Sequence, residues 1–305
     1  MNSLRRSFIN FVAAGSLALT FLGMTLPASF AQEIPPDLLE DEHVREEFGV
    51  NKFTAPSIKK IFDDLDKLGD LPYEQLKRPI PTKTPSDRTR LALELGGLIA
   101  DGFLVVEAEK LLDLEEVGRA LWKRAKILGA GTRLSSHTKS LLENSALGDW
   151  KKLKDELAKT QKDVEAEMVL MRDVDAAHLI SLGGWLRAFE IACVTAQNHF
   201  DEKKARVLGR VDIAEYFLMS LQTLEPKIQE TEHIQSLTAG VEQLKNMLDV
   251  PKSKAFTQDE VESMNSLIRK LITTAGKVSG PPAKPTEPEK TAAAASSDKA
   301  DKPKE

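Results

Sequence analysis

The sequence contains a single cysteine, Cys193, in 305 residues, so no disulfide can close within the chain and packing alone must stabilise the fold. Cys193 sits among Phe189, Ile191, Ala192 and Val194, where a thiol reads as a small buried hydrophobe rather than a reactive group. Basic charge is also short. Against 42 lysines and arginines stand 47 acidic residues, a formal net charge of −5 that offers no basic field to nucleic acid or anionic lipid. The sequence has no Gly-rich phosphate loop, Gly-x-Ser-x-Gly elbow, His-Glu-x-x-His helix or Cys-x-x-Cys pair. That lowers an enzyme reading without excluding one, because triads are assembled in space. Nowhere do apolar and polar residues alternate between turn residues as strands require.

A long charge-free apolar run occurs once, from Phe8 to Leu26, preceded by Arg5 and Arg6 and followed by Ala28-Ser29-Phe30-Ala31. Basic, then apolar, then small-x-small is the order of a secretory signal peptide, with Ser29 and Ala31 where a signal peptidase reads. Removing these 31 of 305 residues leaves 274, and losing two arginines takes the charge from −5 to −7. The expectation is a periplasmic or secreted protein with no membrane span after cleavage. No cysteine follows the run, which argues against a lipid-anchored N-terminus. The stretch Leu4-Arg5-Arg6-Ser7-Phe8-Ile9-Asn10 also resembles the twin-arginine export signal. The arginine pair and Phe8 match it, while Leu4, Ile9 and Asn10 depart from its commonest form. That resemblance implies folding before translocation.

Four segments follow from composition: the signal at 1–31, an arm at 32–85, a bundle at 86–276 and a tail at 277–305. In the arm, Ile58, Ile61, Phe62 and Leu65 recur at helical spacing before Gly69, after a cap at Ser57 or at Thr54. Pro72, Pro79, Pro81 and Pro85 then exclude regular structure and predict a linker or an extended arm lying on the body. From Ser86 the chain reads as nearly continuous helix. One helix, capped at Ser86-Asp87, extends to about Leu112, and the next opens on a capping-box spacing at Asp113-x-x-Glu116 and stops at Gly129-Ala130-Gly131. Helices follow from about 133 to 147 and from Gly148-Asp149 through Trp150, Leu153, Leu157, Val164, Met168 and Met171. Others span about 173–199, start at Asp201, and occupy about 226–248 and 257–275, the last with a second box, Thr257-x-x-Glu260. The tail holds five prolines, six lysines and five acids and cannot bury a core, so it is expected to be disordered.

Leu95-Gly96-Gly97-Leu98-Ile99 and Leu182-Gly183-Gly184-Trp185-Leu186 are alike and lie 87 residues apart. Asp113 and Asp201 follow at 18 and 19 residues, so a duplication would divide the bundle into two four-helix groups. The spacing does not fit helical repeats of ~34 to 47 residues, which favours a bundle over a solenoid. Paired glycines inside a helix cost about 1 kcal/mol each relative to alanine, and close helix crossing is the compensation they suggest. Both helices are apolar nearly all round, as buried helices are. The fold expected is therefore an all-α bundle of about eight helices.

Charges on these two helices are the functional lead. Glu94 and Asp101 lie seven apart on one stripe, and Arg187 and Glu190 share another. Buried charges must be paired, so an Asp101–Arg187 contact across the crossing is expected, fixing register. The alternative is a polar ligand or cofactor pocket built on Asp101, Arg187 and Glu190. Glu40-x-x-His43 and Glu230-x-x-His233 have the spacing of di-iron carboxylate helices, but both lie in charge-rich, apolar-poor stretches and read as solvated faces. His137, His178 and His199 have no nucleophile or carboxylate at a recognisable spacing. The sequence thus points to a non-enzymatic exported bundle without metal or cofactor that binds a protein or cell-envelope component.

Overall fold

A computed structural model describes residues 58–276, except 66–67, 132–136, 138–139, 142, 146, 199 and 252–253. Eleven α-helices are present among the described residues, and no strand. In chain order they are α1 Ile58–Leu65, α2 Tyr73–Leu76, α3 Arg88–Glu107, α4 Leu111–Leu128, α5 Trp150–Leu170 and α6 Val174–Asn198, followed by α7 Glu202–Ala205, α8 Val211–Gln222, α9 Pro226–Gln229, α10 Glu232–Leu248 and α11 Gln258–Gly276. A 3₁₀ turn, Arg206–Leu208, follows α7. The chain is an all-α multi-helix bundle, with α3 and α6 at its centre.

Both central helices are buried on all sides, as their unbroken apolar content requires. α6 is also the one described helix long and apolar enough to cross a membrane, and 94% of its most apolar window is buried inside the fold. It packs against α1, α5, α8 and α11 as well as α3. Trp185 of α6 stacks on Phe217 of α8 at 5.0 Å between centroids, and Phe62 of α1 stacks on Phe103 of α3 at 5.4 Å.

The crossing of α3 and α6 is built on bare backbone. A Cβ added to Gly96 would lie 1.8 Å from the Ile180 carbonyl oxygen, and one added to Gly183 would lie 2.0 Å from that of Leu93. A shift of 87 residues carries Gly96 onto Gly183 and Leu93 onto Ile180, so each helix presents the same glycine to the same carbonyl of the other. This reciprocal contact is the geometry of a two-fold axis. Gly97 and Gly184 face the arm instead. A Cβ on Gly97 would meet Arg78 Nη2 at 3.0 Å, and one on Gly184 would meet Ile58 Cδ1 at 2.2 Å.

Helix ends correct several expectations. Asp87 does cap α3, accepting from Arg90 N at 2.8 Å, but the helix stops at Glu107 rather than near Leu112. Glu109 adopts φ +54° and Lys110 N returns to Val105 O at 3.0 Å, closing the end with a left-handed residue no sequence rule marks. Asp113 is not a cap: α4 opens at Leu111 after Lys110, and the Asp113 carboxylate is held by Tyr73 Oη at 2.6 Å and Lys77 Nζ at 2.7 Å. The proline-rich arm is not wholly irregular, since α2 forms one turn between Pro72 and Pro79. The helix expected at about 226–248 divides into α9 and α10, and the one opened by Asp201 ends after a single turn. The second capping box is formed, with Thr257 N donating to Glu260 Oε2 at 2.8 Å and Glu260 N to Thr257 Oγ1 at 3.2 Å. On α5, Leu153, Leu157, Val164 and Met168 are buried and Met171, expected with them, is exposed. The signal, Ser57 and Thr54, Glu40-x-x-His43, most of the expected 133–147 helix, His199 and the tail lie outside the described residues.

Candidate functional site

The arm and the two central helices meet around buried charge. Asp101 of α3 accepts from Arg187 Nε of α6 at 2.7 Å and from Arg78 of the arm at 2.9 Å through Nε and 2.8 Å through Nη2. Arg187, only 2% exposed, also donates from Nη1 to Glu190 Oε2 at 2.7 Å and from Nη2 to the Leu76 carbonyl at 2.5 Å. Glu190 in turn accepts from Arg269 Nε of α11 at 3.2 Å. Burial alone would raise the Asp101 pKa, but the guanidiniums of Arg78 and Arg187 outweigh it and hold the carboxyl below its ordinary range. Burial pulls the Arg187 pKa down, and Asp101 and Glu190 reverse that and raise it. All three residues named from sequence therefore belong to one network.

Glu94 does not join it. Its partner is Arg124 Nε of α4, and Arg124 Nη2 donates to the Pro81 carbonyl at 2.6 Å. Arg78 and Arg124 were not anticipated. Arg78 carries no signal, being the second of two adjacent cations, Lys77 and Arg78, in a stretch between prolines. Arg124 does carry one: it falls on the stripe of Val117, Leu121 and Leu128, which is buried.

A cavity of about 120 Å³ lies beside the glycine crossing, lined by Arg78, Pro79, Leu93, Gly97, Gly183 and Arg187 among others. That is similar to an engineered apolar cavity of ~150 Å³ that admits a benzene-sized molecule. Its polar lining groups are engaged, Arg187 at all three nitrogens and Glu94 by Arg124.

The histidines fall differently. His137, for which sequence gave no partner, stands between Glu156 Oε1 at 2.5 Å and Asp163 Oδ2 at 2.7 Å, both from α5. His178 is half-buried with Nδ1 unpartnered, and burial lowers its pKa. Glu230 and His233 diverge: Glu230 is exposed, while His233 is buried and pairs with Thr89 Oγ1 at 2.7 Å beside the cap of α3. The reading of that motif as a solvated face is thus corrected for His233, because α9 ends before Glu230 and a new helix, α10, begins at Glu232, whose first turn sets His233 against the α3 terminus. No group of three histidine, cysteine or acidic side chains that could hold a metal ion occurs among the described residues, and Glu156 and Asp163 meet His137 at different ring nitrogens. Cys193 is fully buried, and burial pushes its thiol pKa up, which disfavours the thiolate.

The chain matches no protein-family model, no curated protein and no solved structure.

Proposed function

We propose that this chain is an exported, non-enzymatic helical-bundle protein that serves as a binding or scaffolding module in the periplasm. The observation that carries this reading is how the interior uses its charge. Arg187 spends every guanidinium nitrogen on Asp101, Glu190 and the Leu76 carbonyl, and Arg124 does the same work between Glu94 and Pro81. Charges satisfied in this way fix register and hold the arm, and recognition falls to the surface. Val169, Leu170 and Met171 are exposed in succession at the end of α5, and Val174 is exposed at the start of α6. Met171 lies against Gly129 at the end of α4, where Ile127 is exposed too. A cluster of this kind supports a protein or cell-envelope partner.

The compartment rests on the signal-like first 31 residues. Fused to a reporter, residues 1–40 should carry it across the inner membrane with cleavage after Ala31. Retained export in a variant with Arg5→Lys and Arg6→Lys would assign general secretion rather than the twin-arginine route. Native mass spectrometry of the protein isolated from its own periplasm should show the chain beginning at Gln32 with a protein partner retained. The cavity at the glycine crossing favours a second reading, a small-molecule or cofactor-binding protein whose core site lies near Asp101 and Arg187. A retained small molecule, absent from Arg187→Met, would establish that reading instead.

A further inference from the structure

A second recess, of about 310 Å³, opens between the last turns of α6 and one face of α11, and its lining is mostly polar. Gln197 of α6 and Glu262, Asn265, Ser266 and Arg269 of α11 line it, over Val194. Asn265 is more than nine-tenths buried and donates from Nδ2 to Gln197 Oε1 at 3.0 Å. Its own Oδ1 is buried without a donor, and Gln197 Nε2 has no acceptor among the described residues. The two amides therefore hold one acceptor and one donor side by side, which becomes the complement of a peptide group's N–H and C=O once Asn265 Oδ1, closed to solvent in this arrangement, turns into the recess. A buried acceptor left without a donor is rare enough to require a reason.

Charge marks the two ends of the recess. Arg269 binds Glu190 through Nε only, and its two Nη nitrogens have no partner among the described residues. Glu262 forms no ion pair or hydrogen bond among the described residues and is exposed. The two lie seven residues apart on α11, a rise of about 10 Å. Three residues of extended chain span about the same distance. Arg269, itself exposed, also ends the series that begins with the buried Asp101 and Arg187 and passes through Glu190, so a carboxylate placed on its Nη edge would continue the alternation of sign.

We propose that this recess binds a short unblocked peptide of about three residues, with its carboxylate on Arg269, its ammonium on Glu262 and a central peptide group on Asn265 and Gln197. Ser266, one turn from Glu262 and on the same face, supplies a further hydrogen bond to the peptide backbone. The site is separate from the apolar corner at Val169–Met171 and stands whether or not that corner holds a protein.

The probe is trialanine, titrated into the full chain by calorimetry and by amide chemical-shift mapping. Saturable binding with Kd between about 10 µM and 1 mM is expected, with shifts centred on residues 194–198 and 262–269. N-acetyl-trialanine amide and free alanine should each bind at least about tenfold more weakly, the first for lack of charge and the second for lack of length. Arg269→Gln should weaken trialanine by about tenfold and leave trialanine amide unchanged, since the exposed substitution removes only the carboxylate contact. Asn265→Leu should remove binding while the thermal midpoint holds or rises, because an unpaired buried acceptor has gone. No saturation of the wild-type chain by about 10 mM trialanine, equal affinity for the blocked peptide, or shifts elsewhere on the bundle would each overturn the proposal.

Discussion

Arg124 and Arg187 do the same thing from two different helices: each binds one carboxylate of α3 and one carbonyl of the proline-rich arm. Arg124 joins Glu94 to Pro81, and Arg187 joins Asp101 to Leu76. The pairing has a chemical origin. Prolines deprive the arm of the N–H groups that would tie its carbonyls into a helix or ladder, so those carbonyls need donors from elsewhere. A guanidinium presents five N–H groups in a fixed fork and can serve a carboxylate and a carbonyl together. Glu94 and Asp101 are seven residues apart, about 10 Å along α3, which spaces the two clasps along the arm.

Arg187→Met tests the clasp on Asp101. Removing one partner of a buried pair costs about 3 to 5 kcal/mol, and the retained Arg78–Asp101 contact places this variant near the lower bound. Urea unfolding should show that loss. Limited trypsin digestion after Lys77 should speed up in parallel, because the arm loses the donor to Leu76. A loss below about 1 kcal/mol with unchanged digestion would remove Arg187 from its place as anchor of the arm.

Acid should destabilise the fold in two windows. His233 has a lowered pKa, first because it is buried and then because Arg90 is near. Its neutral form is favoured in the fold, so its contribution is fully present above about pH 6.5 and fades as pH falls through the depressed native value. Asp101 is the carboxylate counterpart: its contribution is present above about pH 3.9 and is lost as pH falls through its own depressed value. Urea midpoints measured against pH should fall in both ranges. His233→Gln should reduce the upper fall and leave the part that His178, also lowered by burial, contributes. Asp101→Asn should reduce the lower fall, which it shares with Asp87, Asp113 and Asp212, with reduced stability at neutral pH.

The central helices were legible because their signal is local: unbroken apolar content and a Leu-Gly-Gly repeat say buried and closely crossed before any partner is known. The Asp101–Arg187 pair followed from the cost of burying either charge alone. What sequence missed depends on where other segments travel. Arg78 reaches Asp101 only because the arm folds back over α3, and Glu94 goes to Arg124 because α4, not α6, lies over that turn. The paired glycines pointed to a close crossing, but not to which of each pair would make it: the helices interlock on Gly96 and Gly183, and Gly97 receives Arg78. A one-residue step along a helix turns a side chain through about 100°, which sequence spacing alone does not resolve between neighbouring glycines. Asn265 and Gln197 are 68 residues apart and gave no pattern at all.

Cys193 should be inert until the protein unfolds. Its side chain is inaccessible and burial disfavours the thiolate, the form that attacks disulfide reagents. Ellman's reagent should leave the native protein unlabelled over hours and titrate one thiol per chain in denaturant. Labelling of the native protein at a rate independent of added urea would place the thiol in a locally open segment rather than in the core of α6.

The glycine crossing makes the most specific demand, because its two halves are equivalent. Gly96→Ala and Gly183→Ala would each drive a methyl group to within about 2 Å of a carbonyl oxygen, that of Ile180 in one case and of Leu93 in the other. Neither carbonyl can turn aside, since each belongs to helix backbone, so the helices must part. Alanine gains about 1 kcal/mol over glycine in helix propensity, and overpacking costs about 1 to 3 kcal/mol or more, so both variants should be destabilised. The reciprocal geometry adds that the two losses should agree within about 0.5 kcal/mol. Gly118 supplies the control of opposite sign: it lies mid-helix in α4 with open space where its Cβ would be, so Gly118→Ala should stabilise by up to about 1 kcal/mol. Once one substitution has separated the helices, the second meets less resistance, and the double variant should lose less than the sum of the singles. Thermal or urea melts of the four proteins decide the matter. Raised midpoints in Gly96→Ala and Gly183→Ala would mean that the helices do not touch there, while unequal losses would leave the contact and remove the two-fold relation between its halves.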